Sequence, residues 1–438
     1  MKNPFSNASR KEILVVGLPA LGLIIGLFWI ASQFVQPAPP KHLYMTTGSE
    51  SGAYHAYAKR YQEILARNGI MLELQTSSGA LENLQRLKDS NANISVGFIQ
   101  GGTATAKDGE GLISLGSMYY EPLWVFYRSK ETLDRVSQLQ GKKLAVGGEG
   151  SGTRKLTLQI LAANDMDKDA GSLMPLGGDA AAEALKRGEV DAVFIIAGSD
   201  SAVVHKLLGA EGVRLMNFTQ AGAYVKRFPF LSRVTLPRGA VDLVRDIPVQ
   251  EITLIAATAN LVARDTIHPA LVSLLVQAAS EVHSEPGMFQ QAHEFPAPKD
   301  LTFEVSKDAE RYYKSGPPFL QRYLPFWAAV LVDRILVMIL PLLVLIPILR
   351  IVPALYKWRV TSRIYRWYGE LSLLEKEIKG NYDHARYTDY LAQIDSMEDR
   401  ANNRPVPIAY AHLLYTLREH INLVRVSLER KKTESKAS

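Results

Sequence analysis

Apolar runs of strand length alternate with helical patterns along the first hundred residues. A β-prone run at 43–47 precedes a helical pattern that continues to about Arg67, and the same order repeats at 72–76 and 80–88. A third apolar run follows at 94–98. Because strands that alternate with amphipathic helices are typical of parallel sheets, the sequence predicts an α/β domain.

Small residues follow each of these predicted strands. The loops at 48–52 and 77–79 contain glycine and serine, and the third strand leads to Gln100. Ligands of open parallel sheets bind beyond the carboxyl ends of the strands. Glycine and serine at the start of a helix also leave backbone N–H groups free to bind negative charge. These loops therefore predict a site for a small anion.

A second set of strands and helices suggests a second lobe. Strands are predicted at 112–118 and 123–127, with a break at 119–122, and the later strand begins a crossover out of the first lobe. An apolar, threonine-rich run at 252–263 predicts strands that return to it. We therefore expect two hinged lobes around a cleft. The predicted lobes are about 41–125 with 236–325 (lobe 1) and about 126–235 (lobe 2).

A glycine-rich loop in lobe 2 resembles two enzyme motifs and matches neither. Thr153 stands where a phosphate-binding P-loop requires lysine, and Glu149 and Thr153 stand where a nucleophile elbow requires glycine around Ser151. The loop keeps free N–H groups and two hydroxyls, which suit an anion. Ser151 or Thr153 could equally cap the following helix. We therefore predict a binding protein and not an enzyme.

Two apolar segments lie outside the α/β region. Residues 13–35 form an uncharged run of 23 residues, which is long enough to cross a bilayer and longer than the apolar core of a cleavable signal peptide. A second apolar segment lies within 326–356, and we place its membrane crossing at about 330–353. The sequence thus predicts two transmembrane helices in a lipid bilayer, the first an uncleaved signal anchor.

Positive charge close to these segments predicts their orientation. Lysine and arginine precede the first segment and are concentrated at 357–366, just after the second. By the positive-inside rule we expect residues 1–12 and 357–438 in the cytoplasm and residues 36–325 in the periplasm, at a bacterial inner membrane.

The C-terminal region has a helical pattern. Helices are predicted at 360–379, 386–400 and 408–431, and an asparagine- and proline-rich stretch at 402–407 separates the last two. A helical hairpin or coiled coil fits this pattern. Such a tail could mediate self-association or could dock a cytoplasmic partner.

Composition excludes several function classes. The chain has 438 residues, of which 21% are charged and 47% hydrophobic, as in ordered proteins. It contains no cysteine, and its nine histidines show no spacing typical of metal ligands. The net charge of +6 is not accompanied by a nucleic-acid-binding motif. We predict no metal, no other cofactor and no nucleic-acid partner.

Candidate ligand-binding residues lie in the strand-end loops and at aromatic positions beside them. Serine hydroxyls and amide groups could donate hydrogen bonds to a carboxylate, Arg154 could bind one with two parallel hydrogen bonds, and tyrosines could form an aromatic wall. For each residue a purely structural role, as a helix cap or a core side chain, stays open. The candidates are Gly48, Ser49, Ser51, Tyr54, Ser77, Ser78, Gly79, Asn83, Gln100, Tyr119, Gly150, Ser151, Gly152, Thr153, Arg154 and Ser199.

Six segments carry a family resemblance that extends over about 42–315. They are the stretches at 48–54, 76–84, 95–100, 141–147, 150–153 and 188–194. In order and spacing they resemble the TAXI family, the extracytoplasmic solute receptors of TRAP transporters, and 316–356 resembles a membrane-anchored branch of it. The resemblance implies a type II periplasmic-binding-protein fold and a small carboxylate or amino-acid-like ligand. It also implies TRAP-type transporter subunits as partners.

The chain departs from the family pattern at two places. The stretch 49–52 is poorer in glycine than usual, and 101–103 lacks a nearby acidic residue. These departures put the family's usual ligands in doubt for this chain. The leading hypothesis is a membrane-anchored solute receptor for transport. A ligand sensor that signals through the tail and a scaffold with a vestigial cleft are the alternatives.

Overall fold

The computed structural model describes residues 10–34, 37–166, 172–300, 302–403, 406 and 410–437. The chain divides into two compact units, one formed by residues 38–331 and the other by residues 1–37 and 332–438. Most of the predicted N-terminal segment at 1–12 lies outside the described residues.

The unit 38–331 is built on one mixed sheet. Neighbouring strands in it follow the order β2-β1-β3-β10-β4-β7-β5-β6, while β8 pairs with β4 and β9 pairs with β10. In the described part of the chain the strands are β1 (His42–Thr46), β2 (Met71–Gln75), β3 (Val96–Gln100), β4 (Leu112–Tyr127), β5 (Leu144–Ala145), β6 (Leu173–Met174), β7 (Ala192–Ile196), β8 (Arg214–Leu215), β9 (Ser232–Leu236) and β10 (Ile252–Arg264).

Helices alternate with these strands and confirm the α/β prediction. Pairs β1–β2, β1–β3, β5–β6 and β5–β7 are parallel, as the alternation predicts. In chain order the helices are α1 (Arg10–Phe34), α2 (Ala53–Arg67), α3 (Ala80–Lys88), α4 (Gly152–Ala162), α5 (Gly178–Arg187), α6 (Ala202–Leu208), α7 (Ala221–Arg227), α8 (Pro269–His283), α9 (Lys307–Ser315), α10 (Phe326–Gly380), α11 (Tyr387–Asn402) and α12 (Ala411–Ala437).

Strands β4 and β10 join two lobes. They pair with each other in antiparallel fashion along most of their length, and the first half of β4 lies in the half of the sheet with β1–β3, which we call lobe 1. The second half of β4 pairs with β7 in the other half, lobe 2. The predicted break at 119–122 is wrong, because these residues stay paired with β10. Pro122 lacks an N–H but its carbonyl accepts a hydrogen bond from Ala197 N.

Each lobe has its own hydrophobic core, and the border between the two cores falls on the shared strands. On β4, Tyr119 belongs to the core of lobe 1 and Leu123 to that of lobe 2. On β10 the border lies between Ala257 and Ala259. Residues 120–122 of β4 therefore lie where the two lobes join.

The C-terminal helices form a small core of their own. Apolar side chains of α10, α11 and α12, including Leu371, Ile394 and Leu417, are buried together. The predicted helices at 360–379 and 386–400 correspond to parts of α10 and α11. The third predicted helix, at 408–431, corresponds to α12, and its first residues lie outside the described part of the chain.

The membrane prediction finds no support in these helices. Helices α1 and α10 occur at the two apolar segments, and Asp333 and Arg334 lie within the apolar part of α10. Throughout the described residues, no helix combines the length and apolar character that crossing a bilayer requires. The two predicted transmembrane helices are therefore not supported.

Candidate functional site

The strand-end loops of lobe 1 are held together by the buried side chain of Asn83. Its Oδ1 accepts hydrogen bonds from Thr46 Oγ1 (2.6 Å) and Ser77 Oγ (2.6 Å), and its Nδ2 donates to the carbonyls of Thr47 and Phe98. These four bonds use the full capacity of the amide. Asn83 thus positions the loops that follow β1 and β2, and its side chain keeps no donor for a ligand.

The remaining candidates of lobe 1 lie around the same loops. Gly52 N donates to Ser49 O (2.9 Å), so the stretch before α2 is a turn, on which Ser49 and Ser51 are exposed. Gly48 is buried against Tyr54. Ser78 donates both its backbone N–H (2.7 Å) and its hydroxyl (2.6 Å) to Glu82 Oε2, so the Glu82 carboxylate caps the start of α3.

In lobe 2 the loop after β5 is shaped by a helix cap. Ser151 Oγ accepts a hydrogen bond from Arg154 N (3.2 Å) and donates to Gly148 O (2.6 Å). The structural alternative for Ser151, an N-cap of α4, is therefore observed. Arg154 lies beside Gly147, as does Thr153. Among the described residues, the Nη1 atom of Arg154 is buried without a hydrogen-bond partner.

These loops of the two lobes meet. A methyl group added to Gly150 would lie 2.5 Å from Ser78 Oγ, and one added to Gly79 would lie 3.4 Å from the Cα of Ser151. Gln100 Nε2 also donates to the carbonyl of Gly152 (3.3 Å). The structure thus brings six of the predicted residues to one junction: Ser78, Gly79, Gln100, Gly150, Ser151 and Gly152.

Helix α4 makes further contacts with lobe 1 that the sequence did not indicate. Lys155 Nζ donates to the carbonyl of Thr103, and Gln159 Nε2 donates to that of Gly102 (3.5 Å). Phe230 packs so closely on Gly102 that no larger residue fits there. The loop after β3 is therefore covered by lobe 2.

A buried carboxylate lies at the junction of the lobes on β4. Glu121 is 5% exposed; its Oε2 accepts a hydrogen bond from Tyr54 Oη (3.0 Å) and its Oε1 accepts one from Tyr119 Oη (3.3 Å). Burial raises the pKa of Glu121 to about 7, against an ordinary value of 4.5, although both phenols act to lower it. Two predicted residues, Tyr54 and Tyr119, thus converge on a group that was not predicted.

Aromatic residues continue this cluster away from Glu121. The ring of Tyr57 lies 4.8 Å from that of Tyr119, and His283 stacks on Tyr119 at 5.6 Å. His283 Nε2 lies 2.9 Å from Tyr61 Oη. Burial lowers the pKa of His283 to about 3, so the imidazole is neutral at physiological pH.

The loop after β7 reaches the same neighbourhood from lobe 2. Ala197 N donates to Pro122 O (3.4 Å), and Trp124 Nε1 donates to Ala197 O (2.9 Å). Ser199 Oγ donates to Asp200 Oδ1 (3.1 Å), and the charge of Asp200 contributes to the raised pKa of Tyr57 in lobe 1. Ser199 therefore lies in a loop that borders the Glu121 cluster.

The chemistry of the described residues does not suggest a metal site. Within this part of the chain, no group of three or more histidine, aspartate or glutamate side chains is arranged to hold a metal ion. The site residues described above instead include one buried guanidinium atom, Nη1 of Arg154, and one buried carboxylate, that of Glu121.

Comparison with known proteins identifies the family. Residues 45–315, more than half of the chain, match the NMT1-like family. The protein belongs to the NMT1-like family. In this NMT1-like protein, two α/β lobes joined by β4 and β10 confirm the predicted periplasmic-binding-protein-like fold. The narrower TAXI resemblance stays a prediction.

The chain also shows low similarity to several solved structures of other proteins. An ancestral arginine-binding protein bound to arginine is 16% identical, with 57% of this chain and 95% of that chain covered and a TM-score of 0.38. The periplasmic aliphatic sulphonate binding protein SsuA from Escherichia coli is 17% identical, with 56% and 73% covered and a TM-score of 0.36. Scores at this level carry no argument about the ligand or partners of the NMT1-like protein.

Sequence reasoning missed Glu121, although one signal could have pointed to it. It is the sole charged residue in the apolar stretch Leu112–Tyr127. A buried carboxylate is costly to keep without partners, so such an isolated charge in an apolar strand deserves a functional hypothesis. The predicted break at 119–122 covers Glu121 and so conceals this signal.

Proposed function

We propose that the unit 38–331 binds a small organic anion between its two lobes and acts as a solute receptor without catalytic chemistry. The observation that carries this proposal is the meeting of the strand-end loops, where Gly79 and Ser78 of lobe 1 contact Ser151 and Gly150 of lobe 2. The buried, unpartnered Nη1 of Arg154 supports an anion, because an uncompensated cationic atom is costly. Ligand that contacts both lobes would favour their closed arrangement.

The finer form of the proposal follows the family resemblance. The receptor would deliver a carboxylate or an amino-acid-like anion to a TRAP-type transporter, with the unit 38–331 in the periplasm and both chain ends in the cytoplasm. Membrane anchoring is tested by alkaline carbonate extraction of the full chain from cells. Release into the soluble fraction would contradict the anchored form and leave the binding proposal standing.

A second candidate is a ligand sensor. It is favoured by the separate helical core of α10, α11 and α12, a second folded element that could pass on a signal. Deletion of 357–438 separates the two functions. Loss of solute uptake with intact signalling would favour transport, and loss of ligand-dependent signalling with intact uptake would favour sensing.

Thermal unfolding of the full chain tests binding itself. The ligands are dicarboxylates, 2-oxoacids and acidic or amidated amino acids. A ligand at 100 times its dissociation constant should stabilise the folded protein by about 2.7 kcal/mol. A folded protein whose unfolding shifts with none of these compounds would contradict the proposal and favour the scaffold with a vestigial cleft.

Two matched glycine variants test whether the ligand needs the lobe contact. Gly150 and Gly141 have nearly the same backbone φ, +73° and +74°, so alanine strains both equally. An added methyl group at Gly150 would meet Ser78, whereas at Gly141 it would meet no atom within 4 Å. Gly150→Ala should weaken ligand binding at least tenfold more than Gly141→Ala. Equal affinities would show that this contact is not part of the bound state.

A further inference from the structure

Glu121 accepts hydrogen bonds but, among the residues that the structure describes, has no neighbouring cation to balance its charge. Each of its carboxylate oxygens accepts one phenol, from Tyr54 (3.0 Å) or Tyr119 (3.3 Å), and keeps a second lone pair unused. Within the described residues Glu121 forms no ion pair. A buried carboxylate in this condition gains strongly from a cation that comes within hydrogen-bonding distance.

Both lobes border this carboxylate. Tyr54 follows the loop at 48–52 and is packed against Gly48, so it connects Glu121 with a predicted anion-binding loop of lobe 1. The loop after β7 begins at Ala197, whose N–H donates to Pro122, the residue next to Glu121. One loop from each lobe, at 48–52 through Tyr54 and after β7 through Pro122, thus reaches the neighbourhood of Glu121.

The charged and titratable side chains around the cluster do not supply the missing cation. Arg60, on α2, acts on Tyr57 and His283, and it is not among the groups that shift the pKa of Glu121. His283 is neutral because burial lowers its pKa to about 3. His55, beside Tyr54 on α2, has its Nδ1 3.2 Å from Thr47 Oγ1. Asp200, from lobe 2, brings further negative charge.

We propose that the Glu121 carboxylate binds a cationic nitrogen group of the solute, so that the solute is a zwitterion of the amino-acid class. This inference rests on the proposed function and narrows its ligand. The cation is an organic one, because the described residues offer no cluster of side chains for a metal. The ammonium of an amino acid can donate to the unused lone pairs of both carboxylate oxygens.

The rest of the junction complements such a ligand. The strand-end loops and the unpartnered Nη1 of Arg154 suit the carboxylate of a zwitterion. Glu121, bordered by the same two lobes, suits its ammonium. A plain dicarboxylate would leave Glu121 unneutralised and would add a second negative charge near it, which is unfavourable.

Binding of matched compounds to the full chain tests the inference. The probes are L-glutamate, L-glutamine, L-leucine and L-arginine, each paired with its analogue that lacks the α-amino group. At pH 7.5 we expect at least one amino acid to bind about 10- to 100-fold more tightly than its analogue, because a charged hydrogen bond is lost. Glu121→Gln should remove most of this preference, because it weakens binding of the amino acid and also relieves the repulsion between the carboxylate and the analogue.

Glu294→Gln is the matched control, because Glu294 also accepts a hydrogen bond from a tyrosine of β4 but is paired with Lys299. It should leave both affinities unchanged. Equal binding of amino acid and analogue to the wild-type chain, or an unchanged preference in Glu121→Gln, overturns the inference while the proposed function stands. Failure of every compound to bind the folded wild-type chain overturns the proposed function itself and this inference with it.

Proton release gives a test that needs no variant. Ligand-free Glu121 has a pKa of about 7, so an ammonium that binds it at pH 7 should displace about 0.5 proton per ligand. Calorimetry in buffers with different ionisation enthalpies measures this number. A bound amino acid that releases no proton contradicts the inference even if Glu121→Gln fails to fold.

Discussion

Glu121 and Glu294 accept hydrogen bonds from neighbouring tyrosines of β4, Tyr119 and Tyr120, but the surroundings of the two carboxylates differ. Glu121 accepts hydrogen bonds from Tyr54 and Tyr119, is buried where the lobes join on β4 and meets no cation in the described part of the chain. Glu294 accepts from Tyr120 (2.9 Å) and from Lys299 Nζ (2.6 Å) and stays partly exposed. Burial acts to raise the pKa of both carboxyls. The pKa of Glu294 nevertheless lies below its ordinary value, because it is lowered by Lys299, by the Gln291 N–H and by Tyr120.

The contrast shows where the chain neutralises its own charge and where it does not. The Lys299 ammonium also lies 4.9 Å from the ring centre of Tyr120 and 4.8 Å from that of Phe295. The negative charge of Glu294 is therefore balanced by a cation of the protein itself. Glu121 accepts from two phenols, and within the described residues it has no cation beside it. This difference is the reason that we propose Glu121, and not Glu294, as a position that binds a cationic group of the ligand.

The largest expected effect is on the pH dependence of stability at Glu121. Between pH 4.5 and 7 folded Glu121 retains a proton that the unfolded chain has released, so the free energy of unfolding falls as pH rises through this window. Glu121→Gln removes this term. From pH 5 to pH 8.5 the variant should gain about 2.5 kcal/mol relative to the wild type in urea unfolding.

Glu294→Gln should behave in the opposite way. The folded-state pKa of Glu294 lies below its ordinary value, so this carboxylate stabilises the folded protein at neutral pH and loses that effect as pH falls. The variant should therefore be less stable than the wild type at pH 7, with the gap closing in acid. Parallel pH profiles for wild type and Glu121→Gln would show that Glu121 is not held in a low-dielectric site.

His283 sharpens the comparison, because it is a buried group of the same cluster with the opposite pH dependence. Burial lowers the pKa of His283 from 6.5 to about 3 in the folded protein. Between these two pH values the imidazole is therefore protonated in the unfolded chain and neutral in the folded protein. Stability should fall as pH drops below 6.5, by about 2 kcal/mol at pH 5.

Glutamine at position 283 should remove this loss. The difference in unfolding free energy between pH 7.5 and pH 5 should be smaller in His283→Gln than in the wild type by about 2 kcal/mol, measured by urea unfolding. Glu121→Gln is the control, since it should increase that same difference. A variant that keeps the wild-type acid sensitivity would mean that the imidazole is protonated in the folded protein.

The sequence predicted local elements of this cluster better than its long-range contacts. The helix at 80–88 agrees with α3 at both ends, because its apolar periodicity is local. Asn83 looked like a residue that could reach a ligand, and its four bonds to loops and strands up to 37 positions away decide otherwise. Glu121 was hidden for the same reason, since its partner Tyr54 is 67 positions away.

Removal of Lys299 should make the Glu294 site resemble the Glu121 site. In Lys299→Met the Glu294 carboxylate loses its cation, so its pKa should rise above the ordinary value and the folded state should lose about 1–2 kcal/mol at pH 7. A carbon-13 NMR titration of the glutamate carboxyls and urea unfolding measure the two effects. Lys314→Met is the control, because its pair with Glu310 is exposed to solvent and should contribute little to stability.

The smallest effects are expected from the tyrosines, and they compare the two sites directly. Tyr54→Phe removes a phenol that lowers the pKa of Glu121, so this pKa should rise further above 7 and stability at pH 8 should fall by about 1 kcal/mol. Tyr120→Phe should shift Glu294 less, because Lys299 and the Gln291 N–H remain. The same carbon-13 titration follows both carboxyls. Equal shifts at the two glutamates would mean that the cation is not what separates them, and the case for Glu121 as the position that binds a ligand's ammonium would lose its physical basis.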